Sequence, residues 1–196
     1  MSSTNRPKKD GDDTIRNKDD FYVTPTWIIR DFLKEFYLDN PNFNPRVIID
    51  PCSGGDSQNE MPYVEVLKSQ YKTSRILTYD IRDDSKAMFK TDYLTDKCQF
   101  APDLIMSNPP FLLAEDFIKK CLTDLTGNGI LIFLLRINFF GSQKRSQFFK
   151  DYMPNYCYVS SKRPSFCKGA TDSTEYAHFV WIKDGTKPKW CQTRVI

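Results

Sequence analysis

This 196-residue chain holds a single histidine, His178, and its six cysteines include no Cys-x-x-Cys pair. Zinc takes closely spaced cysteine and histidine ligands, so no metal centre is expected. Charge of one sign is scarce as well. Against 28 Lys and Arg stand 25 Asp and Glu, a net charge of +3, and the pI is near 8.4. So mild a balance does not by itself specify a nucleic-acid partner. No apolar run approaches the ~20 residues that a bilayer demands, so no membrane association is expected. The polar N-terminus lacks the apolar stretch of a secretory signal. The expected location is the cytoplasm, where thiols stay reduced. Cys52, Cys98, Cys121, Cys157, Cys167 and Cys191 then read mostly as small core residues, although Cys157 and Cys167 could meet across a hairpin. His178 lies in an apolar run and reads as a core residue too.

What is present is apolar material, 40% hydrophobic and 14% aromatic. That is enough for one domain with a core and short for two. Residues 1–20 mix Arg, Lys and Asp with nothing to bury, and are expected to form a disordered polar tail. Residues 21–196 are read as one domain. Thr24 fits a helix N-cap and Pro25 the first helical position. Trp27, Ile28, Phe32, Leu33, Phe36 and Tyr37 then recur at helical spacing. Buried strands are expected at 47–50, 75–80, 103–106 and 130–135, with helices at 61–71, 112–125 and 142–152. The stretch 81–100 reads as irregular. Two final strands, 156–160 and 175–183, have only a polar loop between them and should pair antiparallel. Strands alternating with helices over short connections indicate an α/β fold with a mostly parallel sheet.

The most informative stretch is Ser107-Asn108-Pro109-Pro110-Phe111, directly after the apolar Leu104-Ile105-Met106. Neither proline has an N–H and both fix φ, so the strand stops at Asn108 on a stiff bend. An amide and an aromatic ring are thereby presented at a strand's C-terminal edge, where open α/β sheets place ligands. The Asn108 oxygen and the Pro109 carbonyl can accept the two hydrogens of an exocyclic amine, and Phe111 can stack on the attached base. Asn-Pro-Pro also occurs as an ordinary turn. Asp50 closes an earlier strand, and Gly54-Gly55 follow where backbone N–H groups can approach a ligand. A strand-ending turn without a ligand would look the same. Asp80 ends the next strand, where a carboxylate can accept ribose hydroxyls and Ile81 can pack on a base.

These residues resemble the motifs of the S-adenosylmethionine-dependent amino-methyltransferases, in particular the adenine-specific DNA methyltransferases of phage and bacterial type. Asn108, Pro109, Pro110 and Phe111 are similar to their catalytic tetrapeptide. Asp50, Pro51 and Gly54 match Asp-Pro-x-x-Gly-x-Gly, with Asp56 standing where the last glycine is usual. Tyr22, Thr24 and Pro25 resemble the helix-opening motif that lies against the methionine end of the cofactor. Asp92 and Tyr93 resemble the motif whose acid accepts from the cofactor's adenine amine, although a solvated loop acid fits as well. Asn138, Phe140, Lys162, Arg163, Phe166 and Lys168 stand where the resemblance places the base pocket and phosphate contacts; a solvated basic loop is the bland alternative.

The resemblance implies a class I methyltransferase (Rossmann-like) fold: seven strands, helices on both faces, one antiparallel hairpin at the edge. It implies S-adenosylmethionine as cofactor and methyl transfer to the exocyclic N6 amine of adenine in DNA, by direct in-line displacement. The catalytic domain would lack a separate target-recognition domain and act alone or with a partner subunit, in a bacterial or phage-infected cell. An RNA methyltransferase acting on adenine or guanine amines remains open. A protein glutamine methyltransferase fits less well, as does a catalytically degenerate binding subunit.

Overall fold

The computed structural model describes residues 23–166 and 173–196. Its sheet has eight strands in the order β3-β2-β1-β4-β5-β7-β6-β8. They are β1 (Val47–Asp50), β2 (Arg75–Asp80), β3 (Phe89–Lys90), β4 (Leu104–Ser107), β5 (Ile130–Arg136), β6 (Tyr156–Val159), β7 (Tyr176–Ile182) and β8 (Gln192–Val195). The pairs β1–β2, β1–β4, β2–β3, β4–β5 and β6–β8 are parallel. Only β7 runs backwards, antiparallel to both β5 and β6.

Alternation along the strands divides the core in two. Along β5, Ile130, Ile132 and Leu134 face one layer, while Leu131, Phe133 and Leu135 face the other. Both faces are covered, which is why this strand reads as a continuous apolar run. The first layer packs against α1 (Thr26–Asp39) and α2 (Pro62–Gln70) through Ile28, Phe32, Phe36, Tyr63 and Leu67. The second packs against α3 (Ala114–Asp124) and α4 (Phe148–Asp151) through Phe117, Ile118, Phe148 and Phe149. No helix among the described residues is long and apolar enough to cross a membrane.

Several details depart from the sequence reading. The expected antiparallel pair forms, with β7 between β5 and β6, and an eighth strand, β8, covers the outer side of β6. All four β8 residues are exposed, so no burial pattern marks it. It is held instead by Arg194, which donates to both Asp39 carboxylate oxygens at 3.0 Å and to Glu35 at 2.6 Å on α1. The two-residue β3 lies within the stretch expected to be irregular; Phe89 stacks on Tyr79 with ring centres 4.7 Å apart. The helix expected at 142–152 is a 3-10 turn, Gln143–Arg145, followed by the single turn of α4. Thr24 does not cap α1. Pro25 takes the N-cap place, and the helix begins at Thr26 without a side-chain cap.

Cys157 lies beside Cys191 on the neighbouring segment, and that thiol together with burial pushes the Cys157 thiol well up. Cys167 is outside the described residues, so the proposed Cys157–Cys167 contact is as well. His178 is buried in the first layer, stacked on Phe32 at 4.2 Å between ring centres and 3.2 Å from the Tyr63 hydroxyl. Burial holds its imidazole down at about 3, so it is a neutral core residue.

Candidate active site

The ends of β1, β2, β4 and β5 meet at one edge of the sheet, and each ends in a polar residue: Asp50, Asp80, Ser107 and Arg136. Tyr176, opposite Arg136 in the β5–β7 register, begins the reversed strand at the same edge. Parallel pairing therefore brings together residues far apart in the chain, as open α/β sheets do at their ligand crevices.

Asp50 is fully buried. Its Oδ1 accepts from the Ser107 hydroxyl at 2.6 Å and from the Cys52 N–H at 3.2 Å. Its Oδ2 is buried with no hydrogen-bond partner. Burial pushes this carboxyl up to about 7, against the lowering effect of the Ser107 and Cys52 hydrogen bonds; nearby Asp80 adds to the rise. A buried acceptor without a donor costs free energy unless something supplies one. An ammonium group is a fitting donor.

The turn after β1 is built around Asp80. Ser53 donates from its N–H and its hydroxyl to the Tyr79 carbonyl, at 2.9 and 3.2 Å. The Gly54 N–H donates to Asp80 Oδ2 at 2.8 Å. Arg82 donates from its N–H to Asp80 Oδ1 at 2.9 Å and from its guanidinium to the Gly55 carbonyl at 2.7 Å. Gly54 and Gly55 have φ of +63° and +74°. A Cβ on Gly55 would lie 2.8 Å from Met61 Cγ. The position of Asp56 does not need glycine, because its φ is not positive. Its carboxylate closes a local turn, accepting the Gln58 and Asn59 N–H groups, each at 2.8 Å. Those bonds hold the carboxyl below its usual range. Ile81, 65% exposed, stands beside this turn with its side chain open to solvent.

Asn108 follows β4. Its Nδ2 donates to Thr24 Oγ1 at 3.0 Å, and its Oδ1 is buried without a partner. Pro109 is buried, while Pro110 is half-buried and its carbonyl accepts from Leu113 at 3.0 Å. Phe111, half-buried, opens the 3-10 turn Phe111–Leu113. The Arg136 guanidinium lies 5.2 Å from its ring centre. Tyr176 packs 5.9 Å from Phe111 and 5.0 Å from Phe166, so these three rings and Arg136 form one wall beside Asn108.

Not every expected residue faces this cleft. Tyr93 is 2% exposed; its hydroxyl donates to Asp124 on α3 at 2.8 Å and its ring packs on Tyr79. Its side chain is committed to the core. Asp92 accepts the Leu94 N–H at 3.0 Å in a local turn. Asn138 is exposed, whereas Phe140 packs on Phe149 and Phe179 in the second layer. Lys162 lies 6.0 Å from the Trp27 ring centre, and Arg163 is paired with Glu175. Tyr22 and Lys168 are outside the described residues. Arg136, Tyr176 and Arg82 escape sequence reasoning. The one available signal is that Arg136 is the charge that ends the most apolar run of the chain. Among the described residues, no group of three or more His, Cys, Asp or Glu could hold a metal ion.

No protein-family model and no curated protein matches the chain. Solved structures do. A proposed class I S-adenosylmethionine-dependent methyltransferase from Listeria monocytogenes aligns with a TM-score of 0.60 at 16% identity, over 89% of this chain and 65% of that one. This chain thus spans less than two thirds of the Listeria protein's length. A proposed RNA methyltransferase from Pyrococcus horikoshii gives a TM-score of 0.60 at 10% identity, over 84% of this chain and 86% of that one. A proposed hemolysin from Lactococcus lactis gives 0.57 at 14% identity, over 89% and 94%. At these identities the likeness is one of fold: the chain has the class I methyltransferase fold, with one further strand at its edge.

Proposed function

We propose that the protein transfers a methyl group from S-adenosylmethionine to the exocyclic N6 amine of adenine in DNA. The observation that carries this reading is the buried, unpartnered Oδ1 of Asn108 at the strand edge that also holds Asp50. The cofactor, when bound, supplies an electrophilic methyl group on sulfur. The residues fit it: Asp50 Oδ2 offers a buried acceptor for its ammonium group. Asp80 would receive the ribose hydroxyls and Ile81 the adenine face.

For the target, Asn108 Oδ1 and the Pro109 carbonyl accept the two amine hydrogens. This would turn the nitrogen lone pair toward the methyl group and stabilise the positive charge that grows on nitrogen as the N–C bond forms and the S–C bond breaks; the methylated amine would then release one proton to solvent. Phe111 stacks on the base, with Arg136 and Tyr176 behind it. A base in a duplex must first leave the stack, at a cost of a few kcal/mol that phosphate contacts from Lys162 and its neighbours help to offset. Recognition of a longer target would fall to a partner subunit.

RNA is the second reading, favoured by the description of the Pyrococcus neighbour. Transfer of radiolabelled methyl to DNA, RNA and protein in parallel, with nucleoside analysis of the product, tests the proposal. Labelled N6-methyladenosine from RNA alone would replace DNA as substrate. Label on protein alone would overturn the nucleobase reading.

A further inference from the structure

We infer that Thr24 is a positioning residue for the catalytic amide, an inference that rests on the function proposed for Asn108. A side-chain amide is two-faced. With its acceptor end toward the cleft it meets an amine's hydrogens; rotated by half a turn it would present its own N–H groups to them. Nothing covalent distinguishes the two orientations. In this structure Thr24 holds one of them: its Oγ1 accepts one Asn108 Nδ2 hydrogen at 3.0 Å across 84 residues of chain.

Three observations support more than a packing role. Thr24 is 3% exposed, so water does not compete for the contact. Its hydroxyl makes no cap to α1, although Thr-Pro at a helix start is the sequence signature for one. The opposite end of the same amide, Oδ1, is buried and unpartnered. Thr24 thus takes one of the two amide N–H groups, while the acceptor end is left for a substrate. It also ties the segment before α1 to the catalytic bend, so the amide is fixed from outside its own loop.

Kinetics on an adenine-containing oligonucleotide, with Thr24→Val, Thr24→Ser and Asn108→Ala beside the parent, test this. Thr24→Val keeps the volume and removes the acceptor. It should lower kcat about tenfold, with KM for the oligonucleotide within about twofold. Thr24→Ser, which restores the hydroxyl, should return kcat to within about twofold of the parent. A parental kcat in Thr24→Val together with an inactive Asn108→Ala would remove Thr24 from the mechanism and leave the proposed function standing. A fully active Asn108→Ala would instead overturn that function. Nuclear magnetic resonance of the Asn108 side-chain NH2 decides the matter independently of turnover. Its two protons should exchange with water faster in Thr24→Val and not in Thr24→Ser; unchanged exchange in Thr24→Val would refute the inference. Thr24→Ala carries the same expectations should the valine variant not fold.

Discussion

The Ser107 hydroxyl donates to Asp50 Oδ1 at 2.6 Å, joining two strand ends that lie 57 residues apart in the chain. Ser107 is the residue immediately before Asn108, so the turn after β1 and the bend after β4 are one hydrogen-bonded unit. The bond also favours the charged form of Asp50, against the burial that pushes the carboxyl up to about 7. Ser107→Ala removes that support. S-adenosylmethionine should then bind about tenfold more weakly at pH 7, with a smaller loss at pH 8, as read by calorimetry.

The same carboxyl sets a pH dependence for binding. Asp50 holds its proton below about pH 7, and only the carboxylate attracts an ammonium group. Affinity for S-adenosylmethionine should therefore rise as pH climbs from about 5.5 to 7. It should flatten near pH 8, where the ligand's own α-amino group begins to lose its proton. Binding in this window should release a proton, measured by calorimetry in buffers of different ionisation enthalpy. A flat profile without proton release would remove Asp50 from the cofactor site.

His178 governs acid stability. Its folded-state value is held at about 3, below the ordinary 6.5. The stabilisation from keeping it neutral is fully present above pH 6.5 and is lost as pH falls toward 3. Asp50 acts in the opposite sense: its proton stabilises the fold below about pH 4, and that contribution is lost as pH rises through about 7. His178→Phe preserves the stack on Phe32 and cannot charge. Denaturant titrations should show its acid limb flattened between pH 6 and 4. The Tyr63 hydroxyl, deprived of its partner, should cost about 1–3 kcal/mol at neutral pH.

Gly55→Ala tests the turn. The left-handed φ of +74° and the 2.8 Å approach to Met61 Cγ both oppose a side chain. The expected cost is about 1–2 kcal/mol in denaturant unfolding. Gly127, with nothing within 4 Å of an added Cβ and no positive φ, should accept alanine with little change.

Sequence alone reveals what local pattern and burial encode. β1, β4 and β5 are legible because apolar runs between polar ends suit strands covered on both faces. The strand-end placement of Asp50 and Asn108 follows from them. β8 is illegible because all four of its residues are exposed, and it is held by an ion pair to a helix 155 residues earlier. Tyr93 is misplaced on sequence because an aromatic beside a loop acid looks like a ligand contact until its hydroxyl is seen on Asp124. The Asp56 departure resolves only with coordinates, since the turn needs a positive φ at Gly54 and Gly55 but not one residue later. Thr24 reads as a cap because its partner, Asn108, is 84 residues away.

The claim on which these roles depend is that Asn108 Oδ1 receives the target amine. Single-turnover methylation of adenine-containing DNA by Asn108→Ala, with S-adenosylmethionine affinity measured on the same protein, tests it most directly. The rate should fall at least ~100-fold while the cofactor Kd stays within about threefold. Methylation by Asn108→Ala at the parent rate would contradict the assignment.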